Sequence, residues 1–324
     1  MKKRLLKGLS IFSLLFILLL AVLAGCGSTS ENKKDDSGAS STTQAKGFPV
    51  TIKDDVGNKV TIEKKPEKIV SLLPSTTETL FALGLDDQIV GVSDYDNFPE
   101  AALKKEKVGS QDMNIEKILS LQPDVVFLQE YQYKNHADMI KQLQNAGITT
   151  IIIGSQESFD KAYKGISLLG KATGTEEEAN AIVNNMKERI NNIKDKAKKV
   201  ESKKRVWVEI SPQPEIFTTG QNTFMNEMLD MIGAENVAKG QVGWVKMSEE
   251  EAVKLNPDVI LTTYGSYVGN ATKQVLDRKG WQQVNAVKNK QVFDVNNDTT
   301  SRPGPRLVDG VEEIAKAVYP EVFK

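Results

Sequence analysis

The side chains best suited to covalent or metal chemistry are scarce in this 324-residue chain, which has one cysteine, Cys26, and one histidine, His136. A single cysteine can neither close an internal disulfide nor furnish a cysteine-rich zinc site. A single histidine excludes His-cluster metal centres and leaves any Ser-His-Asp arrangement one candidate base. That histidine sits in a polar segment, and the chain has no Gly-x-Ser-x-Gly elbow, P-loop or glycine-rich dinucleotide turn. Glu78, Glu116 and Glu250 are carboxylates, but nothing in their spacing sets two of them at hydrolytic distance. Binding chemistry is better represented. Rings, amides and a few charges gather just after apolar runs: Asp94, Tyr95 and Phe98; Gln129, Glu130, Tyr131 and Tyr133; Phe217; Gly243 and Trp244; Thr263, Tyr264 and Tyr267; Asp298, Arg302 and Arg306. Such a set suits a large, partly apolar organic ligand.

The elements that must position these residues alternate. Val50, Ile52, Val60 and Ile62 flank Asp55-Val56-Gly57-Asn58, which predicts a small hairpin. Lys68–Leu73, Ile89–Val92, Asp124–Leu128 and Thr149–Ile153 are short apolar runs. Helical patterns separate them: Ser75 to Leu83, a helix N-capped by Asn114 and running to Leu121, and about Asn135 to Asn145. Strands apolar on both faces that alternate with helices imply parallel sheets covered on both sides. In such sheets ligands bind beyond the carboxyl ends of the strands, where the rings and amides lie.

From Thr175 the period changes. Ala179, Val183, Met186, Ile190, Ile193, Ala197 and Val200 step by four and three among charged residues and asparagines. One amphipathic helix of about 25 residues is expected, roughly 37 Å long. A surface helix or a coiled-coil seam would show the same pattern. A helix that joins two lobes accounts best for its length.

After it the first half repeats. MNIEKILSLQPDVV (113–126) aligns without gaps on MSEEEAVKLNPDVI (247–260), at an offset of 134, and Pro74 after KIVSLL corresponds to Pro212 after RVWVEIS, at 138. The chain thus reads as α/β, two Rossmann-like lobes with parallel-rich sheets joined by one long helix. Glu116 and Glu250 are equivalent in the repeat, each two residues after a candidate N-cap, Asn114 or Ser248. A carboxylate there favours the helix dipole by roughly 0.3–1 kcal/mol, which by itself accounts for both. One exposed carboxylate per lobe would also make a two-point docking surface.

The N-terminus carries a different signal. Lys2, Lys3, Arg4 and Lys7 precede an apolar run from Leu9 to Ala24, broken by Ser10 and Ser13 and ending in Leu23-Ala24-Gly25-Cys26. Basic residues before a short apolar core mark a secretory signal, and the run is shorter than the roughly 20 residues that span a bilayer. The ending resembles a bacterial lipobox, which implies cleavage before Cys26 and a diacylglycerol on its sulfur. Removal of residues 1–25 would also take away four positive charges. Residues 26–47, rich in Ser, Thr, Lys and Asp, hold too few apolar groups to fold and are expected to be a flexible tether. The expected organisation is therefore a signal peptide (1–25), a tether (26–47), an N-terminal lobe (48–172), an interlobe helix (173–201) and a C-terminal lobe (202–324). The 42 basic against 43 acidic residues argue against a nucleic-acid binder.

Lipobox, tether, repeated α/β lobes and long helix together resemble the substrate-binding lipoproteins of ABC importers. More narrowly they resemble the class with a rigid interlobe helix that takes cobalamin, haem or iron–siderophores. KIVSLLPSTTETLFALGL (68–85), GVSDYDNFP (91–99) and the LQPDVV/LNPDVI pair carry the resemblance, and the cobalamin binders are the most similar members. The resemblance implies a lipid-anchored monomer on the extracytoplasmic face of the cell membrane, with no cofactor, catalysis or nucleic-acid partner. It would deliver cobalamin to an ABC permease dimer with its ATPase subunits. Glu116 and Glu250 match the paired glutamates that dock on the permease, and Tyr95, Phe217, Trp244 and Asp298 match residues lining the cobalamin cleft. Phe98, Gln111, Gln129, Tyr131, Tyr264 and Arg302 complete the expected ligand site. Ser110 or Gln111, and Gln129, stand where better-known cobalamin binders carry tryptophans. A ferric siderophore would favour Arg302 and Arg306. Haem would need an axial ligand such as Tyr131 or Tyr264. Bare zinc or manganese would need histidines that the chain lacks.

Overall fold

In a computed structural model that describes residues 47–324, strands β1 (Val50–Lys53) and β2 (Lys59–Ile62) pair antiparallel, with Val50 opposite Ile62. The Asp54 carboxylate forms their turn by accepting the N–H groups of Val56 and Asn58, and Gly57 supplies the left-handed residue at φ 95°. The expected signal peptide, Cys26 and all but the last residue of the tether lie outside the described residues.

The first lobe runs β3 (Ile69–Ser71), α1 (Pro74–Ala82), β4 (Ile89–Val92), β5 (Glu106–Lys107), α2 (Ile115–Leu121), β6 (Val125–Gln129), α3 (Glu130–Asn135), α4 (Ala137–Asn145), β7 (Thr149–Ile153) and α5 (Phe159–Thr173). Its sheet, in the order β5-β4-β3-β6-β7, is wholly parallel. Alternate residues feed two cores. Ile69, Val125, Phe127 and Ile151 face one, and Val70, Leu72, Val126 and Ile152 face the other, so the strands read as unbroken apolar runs. The sequence predicts one helix near Asn135–Asn145, whereas two form and meet at the non-helical His136 (φ −129°, ψ 41°). α5 has no counterpart in the sequence reading.

α6 (Glu176–Ala197) is the long helix, at 22 residues rather than about 25, and Val200 lies beyond its end. Glu176, Glu177 and Glu178 sit in its first turn, with Lys194 and Lys196 in its last, which complements the helix dipole. Gly174, at φ 67°, ends α5 and folds α6 back against it. The seam from Ala179 to Ile193 is buried by this chain's own α5 and by two helices of the second lobe, so no second copy is needed to cover it.

The second lobe runs β8 (Arg205–Ser211), β9 (Phe217–Thr219), α7 (Phe224–Met231), β10 (Glu235–Asn236), β11 (Trp244–Lys246), α8 (Glu249–Leu255), β12 (Val259–Thr262), α9 (Ala271–Leu276), α10 (Asn285–Lys288), β13 (Val292–Asp294), α11 (Asn297–Ser301) and α12 (Leu307–Val318). Its sheet has the order β11-β9-β8-β12-β13, with β10 beside β8. β8, β12 and β13 are parallel, while β9 and β11 run antiparallel to their neighbours. Phe217–Thr219 and Trp244–Lys246, read from sequence as loops, are strands here.

The repeat is literal over one unit. α2 and β6 reappear as α8 and β12 at the offset of 134. Asn114 and Ser248 each cap their helix through the side chain, and Gln122 and Asn256 end it in the left-handed region. Asp124 and Asp258 then accept backbone N–H groups at the start of the central strand. Register pairs Ile69 with Val125 and Val206 with Val259, so the central strands correspond at an offset of 137. Pro74 and Pro212 are therefore not equivalent: the first opens α1, the second a β-hairpin.

Candidate functional site

Parallel strands deliver their carboxyl ends to one edge, and a cleft of about 390 Å³ opens there between the lobes. Leu73 and Ser75 after β3, Gln129 to Tyr131 after β6 and Ile153 to Glu157 after β7 form one wall. Thr223, Phe224, Trp244, Ser301 and Pro303 form the other. Of the sequence-predicted ligand residues, Gln129, Tyr131 and Trp244 meet at this cavity. Tyr131 is 41% exposed and Trp244 49%, one ring from each lobe.

Gln129 lines the cavity but its amide is already committed. Its Nε2 donates to the Leu72 carbonyl, and its backbone N–H donates to Gln132 Oε1 at the start of α3. Gln111 is exposed on the loop whose Ser110 carbonyl accepts from Gln132 Nε2. Tyr95 is 69% exposed on the loop after β4, outside the cavity lining. A buried anchor holds that loop: Asp96 accepts the Ser93 hydroxyl at 2.5 Å, and burial outweighs that bond and raises the carboxyl above its usual range. Phe217 opens β9 half-buried, its N–H on the Ser211 hydroxyl, and does not line the cavity.

Tyr264 does not belong to the site. It is fully buried, and its hydroxyl donates to Glu209 Oε1 at 2.6 Å. Arg278 grips the same carboxylate with both terminal nitrogens, at 2.9 and 2.7 Å, and Trp207 Nε1 donates to it at 3.3 Å. Burial, then the Glu209 charge, push the phenol far above its ordinary value. Tyr267, three residues on, is 65% exposed instead. One signal in the sequence marked this network: Glu209 interrupts the apolar strand RVWVEIS, and a carboxylate at a doubly covered position needs a cationic partner.

Beside the cavity, Asp298 and Arg302 join a second network that spans the lobes. Arg302 Nη1 donates to Glu78 Oε1 and Asn97 Oδ1, both at 2.7 Å, and its Nη2 lies 2.9 Å from Asp298. Arg306 donates to both Glu78 oxygens at 2.8 Å and stacks over Phe98 at 3.8 Å. Asn97 completes the ring by donating to Asp298. Phe98 and Arg302 are thus packing and pairing groups, and the sequence reading missed the roles of Glu78 and Asn97.

Glu116 and Glu250 are both exposed in the first turns of α2 and α8. Glu249 accepts from Gln213 and Trp281, and Glu251 accepts from Ser248. In that acidic triplet only Glu250 has no partner among the described residues. His136 Nε2 lies 3.7 Å from Asp112, apart from the cavity lining.

Residues 69–299 match the model of the periplasmic binding proteins. The chain belongs to that family. This binding protein is 48% identical over 311 residues to an uncharacterised ABC transporter substrate-binding lipoprotein of Bacillus subtilis strain 168, which covers 95% of this chain and 96% of the relative. Its fold matches a possible iron-binding periplasmic protein of Staphylococcus epidermidis (TM-score 0.72, 32% identity, 79% of this chain and 100% of the other). It also matches the vitamin B12-binding protein of Vibrio cholerae (TM-score 0.64, 28% identity, 79% and 98%). The binding protein is therefore a substrate-binding component of an ABC transporter and not an enzyme. No helix among the described residues is long and apolar enough to cross a membrane.

Proposed function

We propose that this binding protein is anchored by a lipid on Cys26 at the extracytoplasmic face of the cell membrane, captures cobalamin in its interlobe cleft and hands it to an ABC permease. One observation carries the choice of cargo: Tyr131 and Trp244 present a half-exposed ring from each lobe to the same cavity. Haem is disfavoured because Tyr264 is spent on Glu209 and His136 lies away from the cavity, leaving Tyr131 as the one named axial candidate. Calorimetric titration with cyanocobalamin, haemin and a ferric siderophore tests the reading. Cyanocobalamin should bind tightly, and Trp244→Ala should weaken it by more than about 1 kcal/mol. A wild-type protein that binds a siderophore and ignores cyanocobalamin would overturn it.

Glu116 and Glu250 would be the docking points on the permease. Their support is equivalent placement on a repeated unit, exposure, and freedom from partners among the described residues. Charge reversal at both should abolish uptake by cells and leave cyanocobalamin affinity unchanged. A fall in affinity would instead assign them to the cleft or to the fold.

A further inference from the structure

Two arginines beside a binding cleft ordinarily offer planar forks to carboxylates, catecholates or phosphates. Here both guanidiniums are already paired. Glu78, on α1 of the first lobe and only 3% exposed, takes Arg302 and Arg306 of the second. Asp298 and Asn97 also bond Arg302, and Phe98 covers the face of Arg306. Two guanidinium charges thus meet two carboxylates. On the first-lobe wall the nearest charged groups are Glu130, paired with Lys134 at 2.5 Å, and Glu157. Among the described residues no cation lines the cleft, and for an anionic cargo to engage Arg302 or Arg306 it must break a buried pair.

We infer that the cleft selects cargo without net negative charge, and that Glu78 sets this selection by holding Arg302 and Arg306 out of reach of the ligand. The inference deepens the cobalamin reading and rests on the cleft being the cargo site. The position of Glu78 follows from the fold. α1 begins at Pro74 shortly after β3 and buries its polar first turns, Ser75 to Thr79, with Glu78 facing the second lobe. A carboxylate there is stable only if cations come to it from across the cleft.

The test uses the mature full-length protein with cyanocobalamin, which has no net charge, and with ferric dicitrate and haemin, which are anionic. Wild type should bind both anions at least 100-fold more weakly than cyanocobalamin. Glu78→Gln should tighten ferric dicitrate and haemin at least tenfold, with a gain that shrinks as salt is raised. Adding Arg302→Gln and Arg306→Gln to that variant should erase the gain, which separates released charge from a loosened pair of lobes. A folded Glu78→Gln protein with no gain overturns the inference, as does a wild type that binds the anions as tightly as cyanocobalamin. Should Glu78→Gln fail to fold, Asp298→Asn removes the second carboxylate from Arg302; a smaller gain supports the inference and none overturns it. Absence of cyanocobalamin binding by wild type would sink the cobalamin reading alone, since the gain in ferric dicitrate affinity is read separately.

Discussion

The two lobes build their centres from one helix–turn–strand unit and then treat a single buried position in opposite ways. In the first lobe Leu72 extends the line of β3 and packs into an apolar core with Val70, Ile118 and Val126. At the register-equivalent place in β8 the second lobe has Glu209, paired with Arg278 and Tyr264 beside Trp207. The parallel neighbour on one side, β6 or β12, is the same in both lobes, but on the other side β3 has the parallel β4 whereas β8 bulges between Glu209 and Ser211 against the antiparallel β9. A buried ion pair repays its desolvation only when every partner is present. The Glu209 network rather gives direction. It holds Tyr264 inward and ties the loop after β12 to the segment that follows α9, while Tyr267 stays exposed.

The sharpest break in the comparison is Arg278→Ala, which strands a buried carboxylate. Unfolding in urea should show a loss of about 3–5 kcal/mol. The combined change Glu209→Leu, Arg278→Met and Tyr264→Phe, which turns this site into its Leu72 counterpart, should recover most of that loss. If it does not, the network contributes stability that an apolar core cannot replace.

A middle-sized effect separates the two aspartates. Asp124 accepts the N–H groups of Glu67 and Lys68 at 2.9 Å and pairs with Lys64 at 3.1 Å, and Asp124→Ala should cost about 2 kcal/mol near neutral pH. Burial opposes the charge of Asp124, but these bonds outweigh it and lower the carboxyl below its ordinary value. A lowered folded value means the contribution is complete above the unfolded pKa, near 3.9, and disappears as pH falls through the folded one. The difference between wild type and Asp124→Ala should therefore close in acid, as followed by urea midpoints from pH 6 down to pH 2.

The smallest effect concerns the turns. Gln122 and Asn256 hold the same left-handed position, at φ 52° and 42°. Asparagine tolerates that region better than glutamine does. Gln122→Gly should stabilise by up to about 1 kcal/mol, whereas Asn256→Gly gives up the bond that Asn256 Oδ1 accepts from the Asn285 N–H at 2.8 Å and should destabilise by up to about 1 kcal/mol, both measured as shifts in thermal midpoint.

Much of the frame was legible along the chain because its signals are local. The unbroken runs IVS, VVFLQ and TTIII announced a covered parallel sheet, and the four-three spacing from Ala179 to Ile193 announced α6. The helix α5 was missed: its buried face carries Ala162, Gly165, Gly170 and Ala172, small residues that blur a hydrophobic period. The site was less legible. Tyr264 and Tyr267 follow the same strand three residues apart, and nothing near them in sequence says which one Glu209 claims, 55 residues upstream.

From the sequence alone follow the α/β alternation, the repeated Asn/Ser-capped helix with its proline and aspartate, and the long helix with one apolar seam. Each rests on propensity and periodicity within one or two turns of chain. Tertiary structure alone decided which rings reach the cleft and that Glu78 meets Arg302 and Arg306, 224 and 228 positions away. A charge finds its partner through space, and two arginines that read as anion ligands along the chain are, once the lobes close on them, already occupied.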